Sequence, residues 1–409
     1  MNSNAPKFFG LPLELRELVY KDVLSEASQG PQLILTCREV YEEARKFLFQ
    51  RPLTFRSQTA LYQWLQGAPS KFLQHVGEVR LELQDVDLTP LLAPTASSSS
   101  SQSGPSSPLH TWDVYESEIA NLCQALGKFE NARTFTLRSL SGRQPHLYLD
   151  FLGKFLAMLA SVYPDLQDLS LECNFHHQSL AFLRSFKSLK SFSFDGFSAS
   201  EASEAAEILS SLQLTSISLI SQPTTPTPTH RQHGPPISKP QSFDNQVLRT
   251  LTHLAAFSVT EHRPSAESPA LSLNPKILSS LYIPTLSSLG IILSYTPNDE
   301  TLVALQTCLK KSEGLESLEL YWPDIESDVL ETYALLPDTL TWLSIRVMDT
   351  ASAIAMTSTI LEKKELGNAR GLRYVVLTRS PREATMSIGD GLESTEQVVS
   401  LFPFDSCGL

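Results

Sequence analysis

The chain has 409 residues, 42% of them hydrophobic and 19% charged, with a formal net charge of −12. That apolar fraction is enough for a real core and excludes wholesale disorder. The acidic balance argues against nucleic acid and an anionic membrane surface as partners, because both select basic proteins. The five cysteines, Cys37, Cys123, Cys173, Cys308 and Cys407, are odd in number and far apart. No disulfide framework is expected, and a reducing cytoplasmic or nuclear setting is.

The first ten residues carry no apolar signal core. The uncharged run 277–298 contains Pro284, Pro297 and several serines. It fails as a membrane span, which needs about 20 mostly apolar residues.

Residues 1–50 read as a small helical head. Phe9, Leu11, Leu15, Leu18, Val19 and Val23 recur at helical spacing around the Leu11-Pro12 pair, and proline suits a helix start. A second helix is predicted over 31–49, with Leu33, Val40, Ala44, Phe47 and Leu48 as its buried stripe. Gly30-Pro31 separates the two. Residues 51–75 are read as linking helices.

From residue 76 the pattern changes to short runs of period two, each preceded by an apolar residue three positions earlier. The runs are VGEVRL (76–81), ARTFTL (132–137), LQDLSL (166–171), LKSFSF (189–194) and LTSISL (214–219). They continue as LAAFSV (254–259), LSSLGI (286–291), LESLEL (315–320), LTWLSI (340–345) and LRYVVL (372–377). Helical patterns separate them, as at 149–162, 180–186, 202–212, 302–309 and 354–361. Repeated strand-plus-helix units are the signature of a leucine-rich-repeat solenoid, in which stacked units bury what one unit cannot.

The expected fold is therefore α/β: a short helical head, then an irregular solenoid over 76–380, then a tail over 381–409. Its parallel sheet would line the concave face, with helices outside. Pro/Ser/Thr-rich inserts at 94–108, 222–241 and 263–269 are expected to be disordered loops.

The head resembles the F-box. The matching residues are Leu11-Pro12, Glu14-Leu15, Leu18-Val19 and Val23-Leu24, followed by Leu33 and the stretch from Thr36 to Arg45. It is similar to the F-box-like heads of filamentous-fungal proteins, with LPxELRxxVY and then TCRxxYEEA. The resemblance implies that the head binds the Skp-type adaptor of a cullin–RING ubiquitin ligase while the repeats bind a protein target. It maps Leu11, Pro12, Leu15, Leu18 and Val19 onto apolar adaptor contacts and Glu14 onto the acidic position of the motif. The repeats depart from the consensus, because only Asn174 occupies the usual Asn or Cys position. A second reading stays open: a non-catalytic scaffold whose head only caps the array.

Strand alternation predicts which side chains face the partner. They are Arg80, Glu82, Thr136, Arg138, Ser170, Glu172, Ser193 and Asp195, then the small Ser218, Ser258, Thr260 and Gly290. The last copies present Glu319, Tyr321, Trp342, Ser344, Arg346, Tyr374 and Thr378. Aromatics and arginine are common interface anchors, so Tyr321, Trp342, Arg346 and Tyr374 are the candidate target-binding patch.

The sequence contains no phosphate loop, zincin motif, nucleophile elbow or dinucleotide fingerprint. Cys173, His176 and His177 come nearest to a metal constellation, but two adjacent histidines converge poorly on one ion and are read as solvated loop residues. No enzyme activity, cofactor or metal is expected.

Overall fold

The computed structural model describes residues 8–25, 31–87, 108–139, 146–221, 241–243, 245–261, 273–281, 284–323, 325–367, 369–379 and 397–403. It is of mixed α/β class. The expected inserts lie outside the described residues, apart from Pro108, which opens a helix, and Gln241, which opens a two-residue strand. Two compact units divide the chain: Met1–Ser170 with Ser185–Ser188, and Leu171–Arg184 with Leu189–Leu409.

The first unit starts with a 3-10 turn at Phe8–Gly10 and helix α1 (Leu13–Ser25). A second 3-10 turn (Pro31–Leu35) leads to α2 (Arg38–Leu48). The single helix expected over 31–49 is thus broken. Cys37 is extended (φ −158°) and the Thr36 hydroxyl donates to the Leu33 carbonyl, which closes the first turn. Next come β1 (Leu53–Phe55), α3 (Gln58–Gly67), α4 (Ser70–Leu73), β2 (Glu78–Leu83) and α5 (Pro108–Leu126). They are followed by β3 (Thr134–Ser139), α6 (His146–Val162) and β4 (Asp168–Glu172), within which the chain leaves this unit. The stretch 51–75 is therefore not purely helical: β1 lies parallel to β2, with Phe55 opposite Leu81.

In the head, Tyr20 and Leu24 of α1 are buried against Ile34, Val40, Ala44 and Phe47. The expected stripe of α2 is the one that packs. Polar contacts fix the same face of α1. The Arg16 guanidinium donates twice to the Glu43 carboxylate, the Tyr20 hydroxyl donates to Glu43 Oε2 at 2.9 Å, and Lys46 pairs with Glu17.

The second unit contains β5 (Ser191–Phe194), β6 (Phe197–Ser198), α7 (Ala202–Ser211), β7 (Ser216–Ile220), β8 (Gln241–Ser242) and α8 (Asn245–Thr250). Then come β9 (Ala256–Glu261), α9 (Pro275–Ser280), β10 (Ser288–Leu293), α10 (Asp299–Lys311), β11 (Ser317–Tyr321) and α11 (Ser327–Thr332). The last elements are β12 (Trp342–Val347), α12 (Thr350–Glu365), β13 (Tyr374–Arg379) and β14 (Gln397–Pro403). Strands β5, β7, β9, β10, β11, β12 and β13 pair in that order, all parallel. The segment expected as a tail returns as β14, antiparallel to β13.

Each of the ten predicted runs becomes a strand that starts two residues after the run's first residue, and each of those first residues is buried. Register stacks the apolar positions of the second unit in two rows. One runs Phe192, Ile217, Phe257, Leu289, Leu318, Leu343, Val375; the other runs Phe194, Leu219, Val259, Ile291, Leu320, Ile345, Leu377. All fourteen are buried. Successive helices pack on one another alongside, α7 on α8, α8 on α9, α9 on α10 and α11 on α12.

The strand entries share one backbone device. Two consecutive N–H groups donate to a single carbonyl of the preceding unit. Arg133 and Thr134 donate to Gly77, and Gln167 and Asp168 to Arg133. In the second unit Thr215 and Ser216 donate to Lys190, Ala255 and Ala256 to Thr215, and Ser287 and Ser288 to Ala255. Glu316 and Ser317 donate to Ser287, Thr341 and Trp342 to Glu316, and Arg373 and Tyr374 to Thr341. The same junction recurs while the side chains change, so these are structural repeats and not only sequence repeats.

Helix ends follow local chemistry. Asn298 caps α10 by accepting from Thr301 N, with Asp299 and Glu300 in the first turn and Lys310 and Lys311 in the last. Both charge placements oppose the helix dipole. Asp349 caps α12 through Ser352 N, and Asn274 caps α9 through Lys276 N and Ile277 N.

Candidate functional site

Helix α1 has two faces. Arg16, Tyr20 and Leu24, spaced by four, point at α2. Leu15, Leu18 and Val19, spaced by three and four, lie on another face and are 48%, 62% and 41% exposed. Phe9 and Leu13 are exposed as well, at the start of the head. Pro12 is exposed, and its carbonyl accepts from Leu15 N and Arg16 N, which starts the helix. Glu14 is exposed in the first turn. Leu11 is half-buried, and its carbonyl accepts from Arg16 Nη1 at 2.7 Å. Of the six candidate adaptor residues, five present their side chains to solvent and Leu11 is partly occupied in holding the turn. Leu13 was missed by sequence reasoning. It shares the helix phase of Tyr20 and Leu24 and is exposed in the first turn of α1.

The anchoring face is electrostatically consistent. Hydrogen bonds from Arg16 hold the Glu43 carboxyl below its usual range. Burial, reinforced by Glu43, pushes the Tyr20 phenol up to about 12. The side of α1 that faces α2 is committed to structure, and its apolar residues 15, 18 and 19 are not.

The second candidate lies on β11, β12 and β13. Trp342 and Tyr374 are register partners on neighbouring strands, and Arg346 is the register partner of Thr378. Trp342 and Arg346 are half-buried, and Tyr374 is 45% exposed. Tyr321 differs from expectation: it is only 6% exposed. Its hydroxyl meets Ser344 Oγ at 2.8 Å, so the ring lies over the neighbouring strand instead of projecting outward. The four residues therefore do not form one exposed patch; Trp342, Arg346 and Tyr374 retain exposure and Tyr321 packs between strands. Ser344 and Thr378 are buried, as are Thr136, Ser193 and Asp195, all expected to face outward. Alternation fixes the face of the sheet that a side chain occupies but not what neighbouring larger side chains cover.

Asp195 follows the end of β5. It accepts from Phe175 N at 2.8 Å and Phe197 N at 3.0 Å. His176 Nε2 lies 3.5 Å from its carboxylate, and the His176 ring packs edge-on against Phe197. His176 is therefore not a solvated loop residue, although His177 is exposed. Burial raises Asp195 to about 7 against the pull of the two N–H donors, and lowers His176 to about 4. The neighbouring Cys173 thiol is pushed up by burial and by Asp195, the opposite of an activated nucleophile. Asn174 accepts from His176 N and so shapes this loop. The cluster clasps two loops together.

A cleft of about 600 Å³ opens beside α3, the end of β2 and α5, where Asp85, Asp87, Asp113 and Glu118 contribute carboxylates. Tyr62 donates to Glu118 and Tyr115 to Asp85, both at 2.8 Å. Among the described residues no group of His, Cys, Asp and Glu could hold a metal ion, and no helix is long and apolar enough to cross a membrane. In comparisons with known proteins, no family model and no curated protein matches this chain.

Proposed function

We propose that the protein is a substrate-recognition adaptor of a cullin–RING ubiquitin ligase, with an F-box-like head that binds a Skp-type adaptor and leucine-rich repeats that bind a protein target. The observation that carries this reading is the exposed face of Leu15, Leu18 and Val19 on a helix whose other face is already fixed by Tyr20, Leu24 and the Arg16–Glu43 pair. A helix apolar on both faces has one face more than its own core needs. Leu11, Pro12 and Glu14 flank that face. The repeated strand entries and stacked apolar rows support a solenoid reading of the rest, with the face of Trp342, Arg346 and Tyr374 as the target side. A head serving only as a cap would spend Leu15 and Leu18 on burial, and both are exposed.

The test is co-purification of full-length protein with a Skp-type adaptor, wild type against a Leu15→Asp, Leu18→Asp double variant. The expected result is capture by the wild type and loss in the variant, with unchanged far-ultraviolet circular dichroism and melting temperature. Absence of wild-type binding at micromolar concentration defeats the ligase reading.

A further inference from the structure

Among the described residues, the strand pair β12 and β13 carries hydrogen-bond donors without partners. Arg346 is half-buried and, among the described residues, has no hydrogen-bond or ion-pair partner. Its register partner Thr378 is 96% buried, from an exposure of 4%, and its Oγ1 has no partner. The two stand on neighbouring parallel strands, about 4.8 Å apart along the hydrogen-bonding direction. A buried hydroxyl without a partner costs stability unless something else satisfies it. A half-buried guanidinium offers a planar fork that matches a carboxylate.

The surroundings choose the sign and shape of the occupant. Tyr321, the neighbour on β11, uses its hydroxyl on Ser344. Glu319 lies on the same face, but its Oε2 reaches toward Gly290, on the side of β11 away from β12. Four residues before Arg346 on the same strand face is Trp342, about 13 Å away at 3.3 Å per residue. Trp342 stands opposite the exposed Tyr374. A cation at one end and two aromatic side chains at the other suit a segment with an acid at one position and an apolar side chain a few residues away.

We infer that Arg346 is a carboxylate-binding spot, and that the target enters as an extended acidic segment whose apolar residue packs on Trp342 and Tyr374. This inference rests on the reading of that face as the target side, but not on the ubiquitin role. The Arg346 fork would donate two hydrogen bonds to an Asp or Glu of the target.

The experiment selects a random dodecapeptide display library on immobilised full-length protein and measures synthetic copies of enriched peptides by fluorescence anisotropy. The expected peptides carry Asp or Glu near an aromatic or aliphatic residue. Replacing that acid by its amide weakens binding at least about tenfold, a typical loss for a charged hydrogen-bonded contact. Arg346→Glu abolishes binding of these peptides and favours their lysine-substituted counterparts, and Arg346→Met abolishes it without reversal. Melting temperatures of the variants certify folding; Arg346→Met serves should Arg346→Glu fail to fold. The inference is overturned by no enrichment, by enriched peptides indifferent to Arg346→Met, or by enrichment of basic peptides. A phosphoserine copy that binds while the carboxylate copy does not overturns the carboxylate assignment. Failure of the ubiquitin reading is distinguishable: it is loss of Skp-type adaptor capture with acidic-peptide binding intact.

Discussion

Trp342 stands opposite Tyr374 across the β12–β13 pair, and both precede a buried residue of the apolar row, Leu343 and Val375. The two kinds of position should separate in mutagenesis. Leu343→Ala should destabilise the second unit by about 2–5 kcal/mol, the usual cost of emptying a packed leucine site. Trp342→Ala should cost less, because the indole is only half-buried. Urea unfolding followed by circular dichroism checks this, and an equal or larger loss at Trp342 would assign its ring to packing.

The head should respond to acid through Glu43. Its folded pKa lies below the unfolded value, so its contribution is present above the unfolded value of about 4.3 and is lost as pH falls through the folded one. Melting of wild type and Glu43→Gln should therefore differ at pH 7 and converge near pH 3. Parallel curves at all pH values would remove the ionised carboxylate from the account.

Asp195 and His176 oppose one another. Asp195 has a raised folded value, about 7, so stability falls as pH rises from about 4 through 7. His176 has a lowered folded value, about 4, so stability rises from about 4 to 6.5. Replacing His176 by Phe removes only the second effect. The variant should gain on wild type as pH drops from 6.5 toward 4.5, by at most about 1.4 kcal/mol per pH unit. Asp195→Ala should cost about 2–4 kcal/mol at pH 4.5 by stranding two buried N–H groups, and less as pH rises toward 7.5. Chemical denaturation at pH 4.5, 6 and 7.5 measures both.

Gly290 occupies the row of small side chains between Ser258 and Glu319. A Cβ there would stand 3.1 Å from Ser258 Cβ. Gly290→Val should destabilise by about 1–3 kcal/mol through overpacking, and Ser258→Gly in the same chain should recover part of it. Denaturation midpoints of the single and double variants decide, and strict additivity would place the strain elsewhere.

Much of the framework was legible because a period of two with a leading apolar residue leaves few alternatives. Leu340, Leu343 and Ile345 could only be an entry residue and two core positions, and they are. Leu53–Phe55 escaped because three residues are too short to show a period, and its pairing with β2 is tertiary. The break before α2 escaped because Thr36 and Cys37 are not glycine or proline; a hydroxyl bonded to a carbonyl made it. At the candidate sites the outward face of α1 was readable from spacing. The burial of Tyr321 was not, since a tyrosine on an outward strand position can lean across to Ser344 or stand free.

The paired N–H donors at the strand entries have a consequence for what this chain tolerates. The device asks nothing of the side chain: Arg133, Gln167, Thr215, Ala255, Ser287, Glu316, Thr341 and Arg373 all serve as the first donor. It forbids one residue, proline, at both positions of each pair, and none of the sixteen is proline. Substitution tolerance along these stretches should therefore be broad with a single sharp exception. Ala255→Pro would unlatch one unit from its predecessor while leaving every leucine in place, turning a continuous stack into two blocks that melt at separate temperatures.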